Sequence, residues 1–222
     1  MTTALWALAD YNGVIGRQPL PSDWAHLAHI AGWHQKSLPA FQERFWDQRP
    51  DFDRGEITGE DFWARMGCPN ADRRQALRAD TAMWLRTDRQ ILDLLRAARH
   101  RGVKLALLSN APHEVARAIE QAAWAAEFDI LRFSCDLRSN KPDPEAYASI
   151  LQDMGVTEDR SQVLFIDDRL DNTTAATELG LSAHHFTGDS TALSHALSRH
   201  RRPLSAAPQG AAASLEADRT RP

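Results

Sequence analysis

Apolar residues gather in three short runs along the chain, at 5–10, 105–108 and 163–166, and each run closes on polar groups. Uninterrupted apolar runs of this length, bounded by turn-forming residues, are the pattern of strands buried on both faces of a parallel sheet. The first run ends in Asp10 before the turn signal Asn12-Gly13, the second leads into Ser109-Asn110 and Pro112, and the third leads into Asp167-Asp168. Between the runs, amphipathic patterns of helical length predict helices over 89–101 before Gly102, 112–124, 144–154 before Gly155, and 172–179 before Gly180. Strands alternating with helices imply right-handed crossovers. The expected fold class is α/β, a Rossmann-like parallel sheet sandwiched by helices.

The stretch 17–88 has a different rhythm. Its apolar residues recur at three- and four-residue spacing with no convincing strand, and five of the seven Trp fall there: Trp24, Trp33, Trp46, Trp63 and Trp84. This predicts an inserted all-helical cap with the Trp residues as its core. The expected division is therefore 1–16 and 89–200 for the core, 17–88 for the cap, and 201–222 for a disordered, mildly basic tail. His26, His29 and His34 would share a helical face, but their spacing sets no carboxylate beside them, so a metal role is not expected there.

Composition adds little constraint. The 222 residues carry 26 basic and 30 acidic side chains, 43% hydrophobic residues and 25% charged residues, as in an ordinary soluble protein that needs no disulfide or structural metal. Cys68 and Cys135 match no metal-ligand spacing and are expected as reduced thiols in a cytoplasmic protein. Asp10 interrupts the first apolar stretch, so no signal peptide is expected, and no run has the length of a membrane span. Nothing in the charge pattern asks for a nucleic acid or membrane partner. One bias matters: only three of the 26 basic side chains are Lys, namely Lys36, Lys104 and Lys141.

Ligands of open α/β sheets bind beyond the carboxyl ends of the strands. Three strand ends supplying a carboxylate, a hydroxyl and a carboxylate pair are too many to be helix caps alone. In order, Asp10-Tyr11-Asn12-Gly13-Val14-Ile15, Leu107 to Pro112, Lys141-Pro142-Asp143-Pro144 and Phe165 to Asn172 resemble the four motifs of the haloacid dehalogenase superfamily. The subgroup containing the N-terminal phosphatase domain of soluble epoxide hydrolase is similar around Asp168 and Asn172, and 52–57 resembles part of its cap.

That resemblance implies a Mg²⁺-dependent phosphatase acting on a small phosphorylated metabolite. Asp10 would be the nucleophile, forming an aspartyl-phosphate. Mg²⁺ would be held by Asp10, the backbone carbonyl of Asn12 and Asp168, with Asp167 in an auxiliary position. Ser109 and the Asn110 amide would donate to phosphoryl oxygens, and Lys141 would neutralise both Asp10 and the transferring group. The departure is Asn12, where the family's phosphatases usually carry a second Asp as general acid. An amide has no carboxylic proton to give, which costs roughly 10²- to 10⁴-fold for a poor leaving group. Three readings stay open: a phosphatase for good leaving groups or with an acid borrowed from the cap, a dehalogenase-type hydrolase, and a catalytically weakened relative that binds a phosphorylated ligand or a protein.

Overall fold

The computed structural model describes residues 4–33 and 37–200. His34, Lys36 and the segment 201–222 lie outside that range, as do the expectations placed on them. Five parallel strands form the sheet, in the order β3-β2-β1-β4-β5. They are β1 (Trp6–Ala9), β2 (Lys104–Ser109), β3 (Ile130–Phe133), β4 (Val163–Asp167) and β5 (Ser182–His185).

The three apolar runs became the three central strands, which explains their composition. Each central strand is covered on both faces, so its side chains alternate between two apolar layers. Ala7, Ala9, Leu105, Leu107, Leu164 and Ile166 point into the larger core. Trp6, Leu8, Ala106, Leu108, Val163 and Phe165 point into the smaller one. The sequence pattern missed β3 and β5 because both are four-residue edge strands, and β5 alternates between half-buried and exposed positions. An edge strand with one neighbour carries no continuous apolar run to recognise.

Helices α5 (Arg89–His100), α6 (His113–Glu120) and α10 (Ser190–Arg199) cover the larger core; α8 (Pro144–Asp153) and α9 (Leu170–Glu178) cover the smaller. Asp88 caps α5 by accepting from the Gln90 and Ile91 amides. The helix expected over 112–124 breaks after Glu120, and a 3₁₀ turn at Ala123–Glu127 follows. That turn seats Trp124 flat on Tyr11, ring centroids 5.8 Å apart, which a straight continuation of α6 would not do.

Between β1 and α5 lie four helices: α1 (Pro21–Ile30), α2 (Leu38–Asp53), α3 (Gly59–Arg65) and α4 (Arg73–Trp84). Phe41, Phe45, Phe52, Phe62, Trp63 and Trp84 are wholly buried and pack edge-on, tilted or stacked at 4.7–6.4 Å. Trp24 joins them, but Trp46 is 49% exposed, so the aromatic set is not entirely core. The chain leaves and re-enters the sheet through adjacent segments: Asp88 N–H donates to the Ile15 carbonyl at 2.7 Å and Arg17 N–H to the Arg86 carbonyl at 2.7 Å. No helix among the described residues is long and apolar enough to cross a membrane.

Candidate active site

The parallel register sets the site. Ala9 pairs with Leu107 on one side and Ile166 on the other, so the next residue, Asp10, emerges level with Asp167 at the carboxyl edge of the sheet. Ser109 ends β2 one step further along. The loop after α7 (Ser134–Leu137) returns across this edge and inserts Lys141. The Lys141 ammonium lies 2.7 Å from Asp10 Oδ1 and 2.7 Å from Asp167 Oδ2, and all three groups are buried.

Asn110 fixes that lysine. Its side-chain Nδ2 donates to the Lys141 carbonyl at 2.8 Å, and its Oδ1 accepts from the Lys141 amide at 2.8 Å. The Asn110 side-chain amide is thus engaged in positioning Lys141, while its backbone N–H takes no part in these two bonds. Asp167 is also fully engaged: it accepts from Lys141, from Asn172 Nδ2 at 3.0 and 3.1 Å, and from the Arg169 amide at 2.9 Å. Asp168 is different, since among the described side chains Gln18 alone donates to it, through Nε2 at 3.4 Å. Gly13, at φ +80°, holds the backbone against it; a Cβ there would fall 2.0 Å from Asp168 Oδ2.

Three carboxylates therefore surround one ammonium. Asp10, Asp167 and Asp168 bring oxygen atoms within 4.8 Å of one another. Burial pushes the Asp10 carboxyl up to about 7; Lys141 opposes the rise and Asp167 adds to it. Asp168 also rises, through burial first and then the Asp167 charge. Burial alone would lower Lys141, but attraction to Asp10 and Asp167 outweighs it and holds the ammonium above its ordinary range. Burial is thus the main reason that Asp10 and Asp168 hold protons, with neighbouring carboxylate charge adding to it, whereas for Lys141 the carboxylates overcome burial. A hard, all-oxygen donor set with surplus negative charge fits a Mg²⁺-type cation. Asn12 Oδ1 and Ser109 Oγ are buried beside it with no hydrogen-bond partner among the described residues.

Above the cluster is a cavity of about 650 Å³ lined by Asp10, Asn12, Lys141 and Asp168 below and by α2 above. The C-terminal end of α2 is pinned to the sheet loops: Ser134 Oγ donates to the Asp53 carbonyl at 2.5 Å and Asn140 Nδ2 to the Pro50 carbonyl at 3.0 Å. Among the lining residues that sequence reading did not assign to the site are Trp46, Arg49 and Asp53. Arg49 is buried and donates to Asp53 Oδ1 at 2.6 Å and to both oxygens of Asp80 at 3.1 and 3.2 Å. The Arg49–Asp53 step is an i,i+4 pair that the sequence displays; Asp80 lies on another helix and leaves no such signal. His26 and His29 take no part in either cluster of potential metal ligands among the described residues.

A family model of haloacid dehalogenase-like hydrolases matches residues 25–180. The chain is 28% identical over 147 residues to a sesquiterpene phosphatase of Aspergillus oryzae, covering 64% of this chain and 72% of that one. It is 26% identical over 178 residues to an (S)-2-haloacid dehalogenase of Pseudomonas sp. (strain YL), covering 78% and 75%. Its fold matches the crystal structure of a family enzyme from Bacteroides thetaiotaomicron in complex with magnesium and inorganic phosphate, with TM-score 0.67, 21% identity and coverage of 84% and 96%. The chain belongs to the haloacid dehalogenase-like hydrolases.

Proposed function

We propose that this hydrolase is a Mg²⁺-dependent phosphatase that cleaves phosphate monoesters of small molecules through an aspartyl-phosphate. The observation that carries the reading is the surplus of carboxylate around Lys141: one ammonium 2.7 Å from each of two carboxylates, with Asp168 alongside. Attack on a neutral halide-bearing carbon needs no cation site, whereas attack on an anionic phosphoryl group does. The relatives named for a phosphatase and for a magnesium and phosphate complex support the same reading.

Asp10, the Asn12 carbonyl and Asp168 would hold the cation, which when bound offsets the negative charge of the phosphoryl group. Asp10 attacks phosphorus and the bond to the leaving oxygen breaks; water then cleaves the acyl phosphate. Lys141 neutralises Asp10 and the transferring oxygens throughout, and Asp167 keeps the lysine aimed. Ser109 Oγ and the Asn110 N–H donate to phosphoryl oxygens, which gives the buried Ser109 hydroxyl its partner. The four helices act as a cap over residues 17–88, and its cavity wall, with exposed Trp46, sets the substrate.

A panel of acyl, aryl and alkyl phosphates and 2-haloacids, assayed with Mg²⁺ and with EDTA, tests this. Phosphate release that disappears with EDTA is expected. Halide release from 2-haloacids undiminished by EDTA, without phosphate release, would establish the dehalogenase reading instead; no turnover of either class would leave a binding role.

A further inference from the structure

Asn12 stands where a proton donor is needed, and its amide has none to give. The cavity has four carboxyl side chains on its lining: Asp10, Asp168, Asp143 and Asp53. Asp10 is the proposed nucleophile and Asp168 a proposed cation ligand. Asp143 is an exposed residue at the start of α8 whose side chain makes no cap hydrogen bond. Asp53 is 9% exposed and lines the cavity from the end of α2, away from the strand-end residues.

We infer that Asp53, held on the cap side of the cavity by Arg49, is the proton donor to the leaving group in place of residue 12. This rests on the phosphatase reading. Two features of the geometry carry it. First, the carbonyl of Asp53 is anchored to Ser134, whose hydroxyl also accepts from the Ala111 amide beside the Ser109-Asn110 turn, so Asp53 is referenced to the phosphoryl-binding loop. Second, the Arg49 guanidinium is shared between two carboxylates, Asp53 and Asp80, and Trp84 Nε1 donates to Asp80 Oδ1 at 2.9 Å. Asp80, with both oxygens on Arg49 and a further donor, is the more fully hydrogen-bonded of the two. Asp53 engages Arg49 through Oδ1 alone, so Oδ2 is the oxygen that carries the exchangeable proton.

The charged groups that act on Asp53 are Arg49 and Arg54 on its own segment and Asp80 from α4; α7, which packs against α2, carries Cys135 and Asp136, the latter engaged by Arg117 and His113. Burial raises the Asp53 carboxyl, Arg49 opposes this, and Asp80 adds to the rise. In the first step the Asp10–phosphorus bond forms, the electron pair of the breaking bond passes to the leaving oxygen, and Asp53 gives that oxygen its proton. In the second, water attacks phosphorus, the Asp10–phosphorus bond breaks, and Asp53 takes the proton released by water. Phosphate leaves and both carboxyls return to their starting states.

The test compares kcat/KM for wild type and Asp53→Asn on alkyl phosphates and on substituted phenyl phosphates, with Mg²⁺ and across pH. Asp53→Asn is expected to lose about 10²- to 10³-fold on alkyl phosphates, with a loss at least about tenfold smaller on nitrophenyl phosphate, whose leaving group needs no proton. The high-pH limb of the wild-type profile should disappear, and adding Asn12→Asp should restore alkyl turnover. Equal losses on both substrate classes, or no loss on alkyl phosphates, would overturn the assignment while leaving the phosphatase reading intact. If Asp53→Asn does not fold by circular dichroism, the wild type decides alone: a shallow dependence of rate on leaving-group acidity supports the assignment, and a steep one overturns it. Absence of phosphate release from every ester would remove the phosphatase reading and this assignment together.

Discussion

Lys141 is a buried cation paired with two buried carboxylates at 2.7 Å, of which Asp167 has further donors in Asn172 and the Arg169 amide. Removing one partner of such a cluster strands the others without counter-charge, which costs about 3–5 kcal/mol. Lys141→Met should lower the urea-unfolding free energy by about that amount in metal-free buffer, with phosphate release abolished. Retention of full stability would show that the ammonium is not the counter-charge of the site. The raised Asp10 carboxyl, at about 7, has its own consequence. Without a cation, the native state holds this proton to higher pH than the unfolded chain, so Asp10 contributes stability below about pH 4 that is lost as pH rises towards 7. A cation must displace the proton. Mg²⁺ affinity should therefore strengthen as pH rises to about 7, and calorimetry at pH 6 in buffers of different ionisation heat should detect proton release. Binding at pH 6 without proton exchange would contradict this account.

At the scale of elements, the decisive contact is between α2 and α4. Arg49 of α2 sits 5.1–5.5 Å from the ring centres of Phe45, Phe52 and Trp84 and bonds to Asp53 and Asp80, so one side chain joins two helices and presents one wall of the cavity. Arg49→Met strips the buried Asp53 and Asp80 side chains of the donor they share and should cost about 3–5 kcal/mol. Combining it with Asp53→Asn and Asp80→Asn should recover part of that loss, because neutral groups of similar shape no longer carry an uncompensated charge. Urea midpoints of the single and triple variants check this; a triple variant less stable than the single would refute it. The central strands and α5 and α8 were readable to within a residue or two because each has a full apolar face and a clear stop. The edge strands β3 and β5, and the break after α6, were not. Their positions depend on what packs beside them, as with Trp124 on Tyr11.

Across the whole molecule, the site is an assembly of four distant segments and a roof. Tyr11 OH donates to the Trp84 carbonyl at 3.0 Å, 73 residues away, tying the turn after β1 to the end of α4. Sequence order by itself determined the class of fold and the cluster at the strand ends. Parallel register requires that strands entering from one side end on the other, so residues closing the apolar runs must meet at one edge. It also exposed the departure at Asn12, since the identity of a residue needs no coordinates. Tertiary structure decided which of these side chains remain free to react. Asn110 is spent on the Lys141 backbone, Asp167 is saturated, and Asp168 and Ser109 are not. It alone brought Asp80 to Arg49 and Asp53 to the cavity. The physical reason is that hydrogen-bond capacity is shared among neighbours in space, whereas apolar periodicity is written into neighbours along the chain.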